Sequence, residues 1–444
     1  MKLFLLIIFF LFLNNCSFDN KTGIWENKND ISSKQNEKEN ILEGFEKISS
    51  TSDTFDKVVI FNDKLNLNLP KPRSIKNWDD IFLNGTNNSF NINYTEKNEL
   101  FFKSKKITKK KINDYILFWE NHLITSDEKG NLIIFSIKEN KVKIKFNFYK
   151  KRYKNLKKYL NLHLDNNIIY VSDNIGYLYA FDLTQRKIIW AKDYKIPFRG
   201  NLKLFKNKLI ASNQNNSLIV LNKFDGELLS SIPTEETIVK NEFRNNISIN
   251  DKMIFFVNTF GSVFALDNVD FKINWFLNVN ETINLTPSDL FNGSEIINYK
   301  DKLIVSSKKF TYVLDTISGS ILYKINFSSE VRPIVINDYL ILVSRKGFLI
   351  SFDLIEGKII FSSKIKQNIL DFSDIKKFNV KVKKINILQN KIYIFLENSY
   401  YLIYNFKGEV IDIKTFPSKI NSQPIFINNF IYFLDKKNRL SIIN

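Results

Sequence analysis

Three features of the chain predict an all-β fold, an eight-bladed β-propeller of four-stranded antiparallel blades with its ring closed by an N-terminal strand. A phrase returns eight times, clearest as Gly176-Tyr177-Leu178-Tyr179-Ala180-Phe181-Asp182 and Gly261-Ser262-Val263-Phe264-Ala265-Leu266-Asp267. Between copies lie short apolar runs with little helical period. The last copy stops one strand short of a complete unit.

The final position of each phrase serves as a ruler: Ser136, Asp182, Asn222, Asp267, Asp315, Asp353, Asn405 and Asn444, spaced 38 to 52 residues apart with a mean of 44. A four-stranded propeller blade takes roughly 40 to 50 residues. Within a unit, runs such as Ile168-Ile169-Tyr170-Val171, Tyr177 to Phe181 and Ile188-Ile189-Trp190 are β-branched and aromatic and are separated by Asn, Asp or Gly, the pattern of strand and turn in alternation. One blade cannot bury both of its faces, so neighbours stack around a common axis. The final unit offers strands near Pro424 to Phe426, Ile431 to Leu434 and Leu440 to Ile443. Its missing edge is assigned to Glu99 to Ile107, which removes two exposed strand edges that invite aggregation.

Ahead of the ring, Lys2 and the apolar run Leu3 to Leu13 precede Cys16. Such a run falls well short of the roughly 20 residues a membrane-spanning helix needs and reads as an export signal. It resembles a bacterial lipoprotein signal: Leu13 and Cys16 match its pattern of an apolar residue, two small residues and the lipid-accepting cysteine, while Asn14 and Asn15 are larger than the usual occupants. The resemblance implies a signal peptide over residues 1–15 and acylation of Cys16, with palmitate among the chains. Ser17 at the next position implies transfer to the outer membrane, periplasmic face. Residues 16–75, rich in Asn, Lys, Glu and Ser, read as a flexible tether, and 76–444 as the propeller, its body starting near Trp78. Cys16 is the only cysteine, which excludes an intrachain disulfide.

Lys and Arg number 65 against 46 Asp and Glu, a formal charge of +19. The densest cluster runs from Lys150-Lys151-Arg152-Tyr153-Lys154 to Lys157-Lys158, and Lys109-Lys110-Lys111 forms a second. Such clusters suit phosphate contacts, but an exported chain seldom meets nucleic acid, so no nucleic-acid partner is expected and the clusters read as solvated loops. Contact with acidic lipid head groups is a lesser option.

The unit Ala180-Phe181-Asp182-Leu183-Thr184-Gln185-Arg186-Lys187-Ile188-Ile189-Trp190 resembles the propeller repeat of quinoprotein dehydrogenases, with Ala180, Asp182 and Trp190 matching and Gln185 and Arg186 departing from its Thr-Gly. Ala265, Asp267 and Trp275 match in the next full copy, and Asp315 with Gly319 and Asp353 with Gly357 match in part. The Asp holds a turn through backbone N–H groups, and the Trp docks one blade on the next. One carboxylate per blade does not converge into an oxygen cage, so no metal site is expected. Catalytic residues are likewise not expected. The adjacent cysteine pair of many quinoprotein alcohol dehydrogenases is missing, His122 and His163 lie in different units, and no nucleophile elbow, phosphate loop or zinc spacing occurs. The expectation is a non-enzyme without a cofactor.

A lipoprotein signal joined to such a ring resembles the BamB family, accessory lipoproteins of the outer-membrane β-barrel assembly machinery. Family members share an L-x-L-R-G phrase whose Leu and Arg residues contact the POTRA domains of the BamA-type barrel protein. Here the stretch is Ile196-Pro197-Phe198-Arg199-Gly200, with Arg199 and Gly200 identical and Ile196 and Phe198 apolar. The resemblance implies partner contacts by these residues, two apolar groups and a guanidinium forming a compact hot spot. It also implies a second contact loop near Asn241-Glu242-Phe243-Arg244-Asn245, in which Glu242 is the acidic residue. Unfolded outer-membrane protein strands are a further partner class, taken by strand addition. Two alternatives remain open: a quinone-dependent periplasmic dehydrogenase, and a surface propeller that binds peptide or glycan.

Overall fold

The computed structural model describes residues 55–62, 69–149, 152–236, 246–280, 290–372 and 380–444, with the backbone of Cys16–Phe18 and Trp25–Asn27. The chain divides into two compact units, Met1–Ser52 and Asp53–Asn444. In the first, Cys16–Phe18 pairs antiparallel with Trp25–Asn27. The signal peptide assigned to residues 1–15 and the side chain of Cys16 lie outside the described residues.

The second unit is a ring of eight four-stranded antiparallel sheets. Blades 1 to 7 span residues 117–147, 160–193, 203–232, 246–278, 297–325, 334–364 and 382–415. Blade 8 takes three strands from residues 425–443 and its outermost strand, Leu100–Lys103, from ahead of blade 1. Leu100 pairs with Ile443 and Lys103 with Ser441, and the ladder continues through Ser104 N–H to the Leu440 carbonyl and Ile107 N–H to that of Asn438. The segment expected to seal the ring does so.

Strand composition follows position in the blade. The second and third strands are covered on both faces by neighbouring blades and read as apolar runs, as in Tyr177–Asp182 and Ser262–Asp267. The outermost strands alternate in exposure, as in Lys187–Asp193. The core is correspondingly a set of layers between blades. One layer joins Tyr170, Ala180 and Trp190 of blade 2 to Leu209 and Ile219 of blade 3. In blades 1 to 7 a β-bulge interrupts the pairing of the third and fourth strands near the end of the recurring phrase, for example between Ala180 and Phe181 and between Ala265 and Leu266. Such bulges bend the strand and increase its twist.

The repeat residues behave as their chemistry requires. Oδ1 of Asp182 accepts from the N–H groups of Thr184 and Gln185 at 2.7 and 2.8 Å, and Asp267, Asp315 and Asp353 hold their turns in the same way. Trp190 donates Nε1–H to the Lys223 carbonyl of the next blade, and Trp275 to that of Thr316, each at 3.0 Å.

The packed unit begins earlier than the sequence reading places it. Val59 bridges Ser362 on the outer strand of blade 6, and Phe55 N–H donates to Asn326, so part of the expected tether lies against the ring. The larger departure is on the axis. Residues 75–92 circle the inside of the ring and meet the innermost strands in order, and the circuit closes where Arg73 bridges Ile92. Ile75 bonds Asn428 of blade 8, Trp78 bonds Phe118 of blade 1, Asp79 bonds Leu164 of blade 2, Gly85 bonds Ile249 of blade 4, and Thr86 bonds Asn298 of blade 5. Asn88 exchanges bonds with the backbone of Val335 in blade 6, and Ile92 bonds Ile387 of blade 7. Blade 3 is reached by an ion pair, Lys203 to Asp80.

Candidate partner-binding face

Antiparallel blades give the ring two different faces. One carries the turns between strands 1 and 2 and between strands 3 and 4. The other carries the turns between strands 2 and 3 together with all loops that pass from blade to blade, so it holds the longer segments. The loop singled out by sequence, residues 194–200, passes from blade 2 to blade 3 on this loop face.

That loop is fastened at both sides. Tyr194 N–H donates to the Gly176 carbonyl at 2.8 Å and Phe198 N–H to that of Asp173 at 2.9 Å, while the Pro197 carbonyl accepts from Gln214 at 2.7 Å. Gly176 has φ +124°, and a Cβ there would lie 2.7 Å from the Ile196 nitrogen, so only glycine lets the loop pass so close. Ile196 and Arg199 are half-buried at the surface, and Gly200 is buried. Phe198 is 1% exposed. It packs edge-on to Tyr194 at 5.6 Å and joins the layer between blades 2 and 3. The expectation that Phe198 fills a partner's pocket is therefore corrected: its side chain anchors the loop and leaves Ile196 and Arg199 to the surface. Glu242 lies outside the described residues.

The neighbouring loop, which passes from blade 1 to blade 2, presents Tyr153, Leu156 and Tyr159 at 39, 53 and 50% exposure. It holds its place through Tyr149, whose hydroxyl donates to Asp173 Oδ2 at 2.5 Å. Asp173 Oδ1 also accepts from the N–H groups of Ile175, Gly176 and Tyr177. Burial, then Asp173, pushes the Tyr149 phenol far above its ordinary range. Asp173 thus ties the two loops to one turn, and Tyr153 meets Tyr177 beside them at 3.4 Å. The basic run reads from sequence as a solvated loop, although Tyr153 within it and Tyr159 just after it are the signal from which this surface could have been found.

The basic clusters also gather here. Lys109, Lys110 and Lys111 ahead of blade 1, Lys129, and Arg152, Lys154 and Lys157 are all exposed on the loop face. Lys158 departs from the solvated-loop reading. It is 2% exposed, its ammonium bonds the Tyr153 carbonyl and lies 5.4 Å from the Tyr149 ring, and burial lowers its pKa.

The histidines occupy unlike settings. His122 Nδ1 pairs with the Glu120 carbonyl in a hairpin. His163 Nε2 lies 3.4 Å from Asp80 Oδ2 beside the axis. Burial would raise the Asp80 pKa, but Lys203 at 2.6 Å and then His163 hold it well below the usual carboxylate range. Among the described residues no group of three His, Cys, Asp or Glu is placed to hold a metal.

Residues 175–297, which include the 194–200 loop, match the family model described as outer membrane protein assembly factor BamB. The crystal structure of BamB from Moraxella catarrhalis superposes with a TM-score of 0.60 over 78% of this chain and 99% of that one, at 12% identity. Over residues 175–297 the chain resembles BamB proteins, and its ring shares the propeller fold of that BamB. The BamB-like ring also resembles two quinohemoprotein alcohol dehydrogenases: one from Pseudomonas putida HK5 (TM-score 0.60, 8% identity, 83% of this chain and 79% of that one), and one from Comamonas testosteroni (0.59, 10%, 83% and 80%). Identities this low carry the fold alone. No curated protein matches the sequence.

Proposed function

We propose that this BamB-like propeller is a non-catalytic scaffold of the outer-membrane β-barrel assembly machinery. It is held at the periplasmic face of the outer membrane by acyl chains on Cys16, and it binds the POTRA domains of a BamA-type barrel protein through its loop face. The observation that carries this reading is the family-model match, because it covers the 194–200 loop whose Arg-Gly phrase is the motif expected to touch the partner. The contact is made by Arg199 and Ile196, with Leu156, Tyr153 and Tyr159 beside them as the apolar area and Phe198 as the internal anchor. A guanidinium bonds partner carbonyls or a carboxylate in a fixed geometry while apolar neighbours exclude water. The exposed lysines nearby favour an acidic partner surface and speed encounter.

The quinoprotein likeness supports a second reading, a dehydrogenase. Against it stands the axial segment: residues 75–92 bond to the inner strands of seven blades and pair with the eighth through Lys203, which leaves the centre of the ring occupied by the chain itself apart from a cavity of about 190 Å³ at the loop face.

Affinity capture from solubilised envelopes tests the proposal. Wild type recovers the BamA-type protein, and Arg199→Glu recovers at most a tenth as much. Equal recovery removes Arg199 from the contact. Absence of that partner from both samples, or a stoichiometric chromophore after addition of calcium and the quinone, ends the scaffold reading.

A further inference from the structure

At the centre of the loop face, above the tip of the axial segment, the ring encloses a cavity of about 190 Å³. Its floor is apolar, formed by Ile81 and Phe82 with Tyr115 edge-on to Phe82 at 5.6 Å. Three cations line it, Arg332, Lys383 and Lys384, together with the carboxylates of Glu295 and Glu330, and Glu295 is the foremost opposite charge acting on Arg332. Arg332 donates Nη1 to the carbonyls of Phe82 and Asn87 at 2.7 and 2.8 Å. Lys384 is 9% exposed. Its ammonium lies 4.9 Å from the Trp78 ring and donates to one acceptor, the Pro424 carbonyl at 2.7 Å. Next to them the hydroxyl of Ser294, a residue 5% exposed, and Oε1 of Gln423 are buried without a partner among the described residues. The Gln423 amide nitrogen is already engaged by the Lys383 carbonyl at 3.2 Å.

Buried cations and orphaned polar atoms are costly, and each one in a native fold requires an explanation. The three cations outnumber the two carboxylates of the lining, and one ligand chemistry addresses Arg332, Lys384, Ser294 and Gln423 together. A carboxylate accepts from Arg332, Lys384 and the Ser294 hydroxyl, an adjacent amide N–H donates to Gln423 Oε1, and an apolar side chain covers Phe82 and Tyr115. The cavity has room for at least one terminal residue.

We propose that the axial cavity is a binding site for the carboxylate end of an acylated amino acid with an apolar side chain. Such an end belongs either to a free N-acyl amino acid or to the C-terminus of a peptide chain. This goes beyond the scaffold function and does not depend on it.

The test is calorimetric titration of the full chain with N-acetyl-phenylalanine and its amide, and with a pentapeptide ending in phenylalanine as free acid and as amide. Both acids bind saturably, and each amide binds at least tenfold more weakly, because the charge-assisted hydrogen bonds are lost. A tighter peptide identifies a chain end as the natural source, and a tighter free acid identifies a small molecule. Arg332→Gln weakens the acids at least tenfold. Because Arg332 also holds the axial segment, Ser294→Leu provides a variant that fills the cavity from its wall, and it abolishes binding while leaving the melting temperature within a few degrees. Equal binding of acid and amide, no binding of either acid, or wild-type affinity in folded Ser294→Leu overturns the proposal.

Discussion

Lys203 Nζ lies 2.6 Å from Asp80 Oδ2, with side-chain exposures of 0 and 4%, and so joins blade 3 to the segment that fills the axis. Burial works against both charges and lowers the Lys203 pKa, yet the short contact holds Asp80 ionised. Lys203→Met leaves an uncompensated buried carboxylate and should cost about 3–5 kcal/mol in denaturant unfolding. Adding Asp80→Asn should recover a large part of that loss. A single-mutant cost below about 1 kcal/mol would mean that the axial segment is not locked in this way.

The residue beside it behaves oppositely. Burial pushes Asp79 up to about 6, with Asp165 and Asp80 adding and His163 opposing, and its Oδ1 has no hydrogen-bond partner among the described residues. A carboxyl whose folded pKa exceeds its unfolded value of 3.8 binds its proton more tightly in the folded state. Its contribution is therefore full below about pH 4 and is lost as pH rises through 6. Asp79→Asn should raise the melting temperature at pH 7 and leave it unchanged near pH 4. The same shift at both pH values would contradict the assignment.

What could be read from the sequence divides along physical lines. The turn-holding Asp182 and Asp267 and the docking Trp190 and Trp275 were legible because each depends on local spacing that recurs. The sealing strand was legible because the last unit lacked an edge. The axial segment was not legible, since its bonds are non-local. Asn87 reaches the carbonyls of Ile247 and Ile296, and Asn88 that of Val335. A run such as Asn84 to Asn93 has the composition of a tether until those partners are known. Phe198 failed for a related reason. An apolar loop residue suits a partner's pocket and a protein's own core equally well, and only its bridge to Asn213 and its packing beside Tyr194 decide. The abundant Asn also has a structural use that composition did not reveal. Asn121, Asn166, Asn337, Asn390 and Asn429 all take positive φ in the hairpins between first and second strands.

Two glycines separate contact from backbone strain. Gly319 has φ +73°, and a Cβ there would lie 2.5 Å from the Trp275 ring of the preceding blade, whereas Gly347, at φ +79°, has nothing within 4 Å of that position. Both alanine substitutions cost about 1 kcal/mol for the left-handed backbone. Gly319→Ala should cost about 1–3 kcal/mol more for the overpacked contact. Equal losses of stability in the two variants would show that the Trp275 docking contact yields freely.

Charge on the loop face should govern encounter more than hold. Replacing Lys109, Lys110 and Lys111 by Glu should slow association with the POTRA partner about tenfold at low salt and by less as salt rises, while dissociation changes by no more than about twofold. Surface plasmon resonance at several ionic strengths reads both rates. An effect confined to dissociation would place these lysines inside the contact.

The most direct measurement of the scaffold account is titration of the full chain with the purified POTRA segment of the BamA-type protein from the same organism, comparing wild type with Arg199→Glu. The account predicts a saturable one-to-one complex that charge reversal weakens by at least tenfold. No complex with wild type, or one indifferent to the charge at position 199, would contradict it.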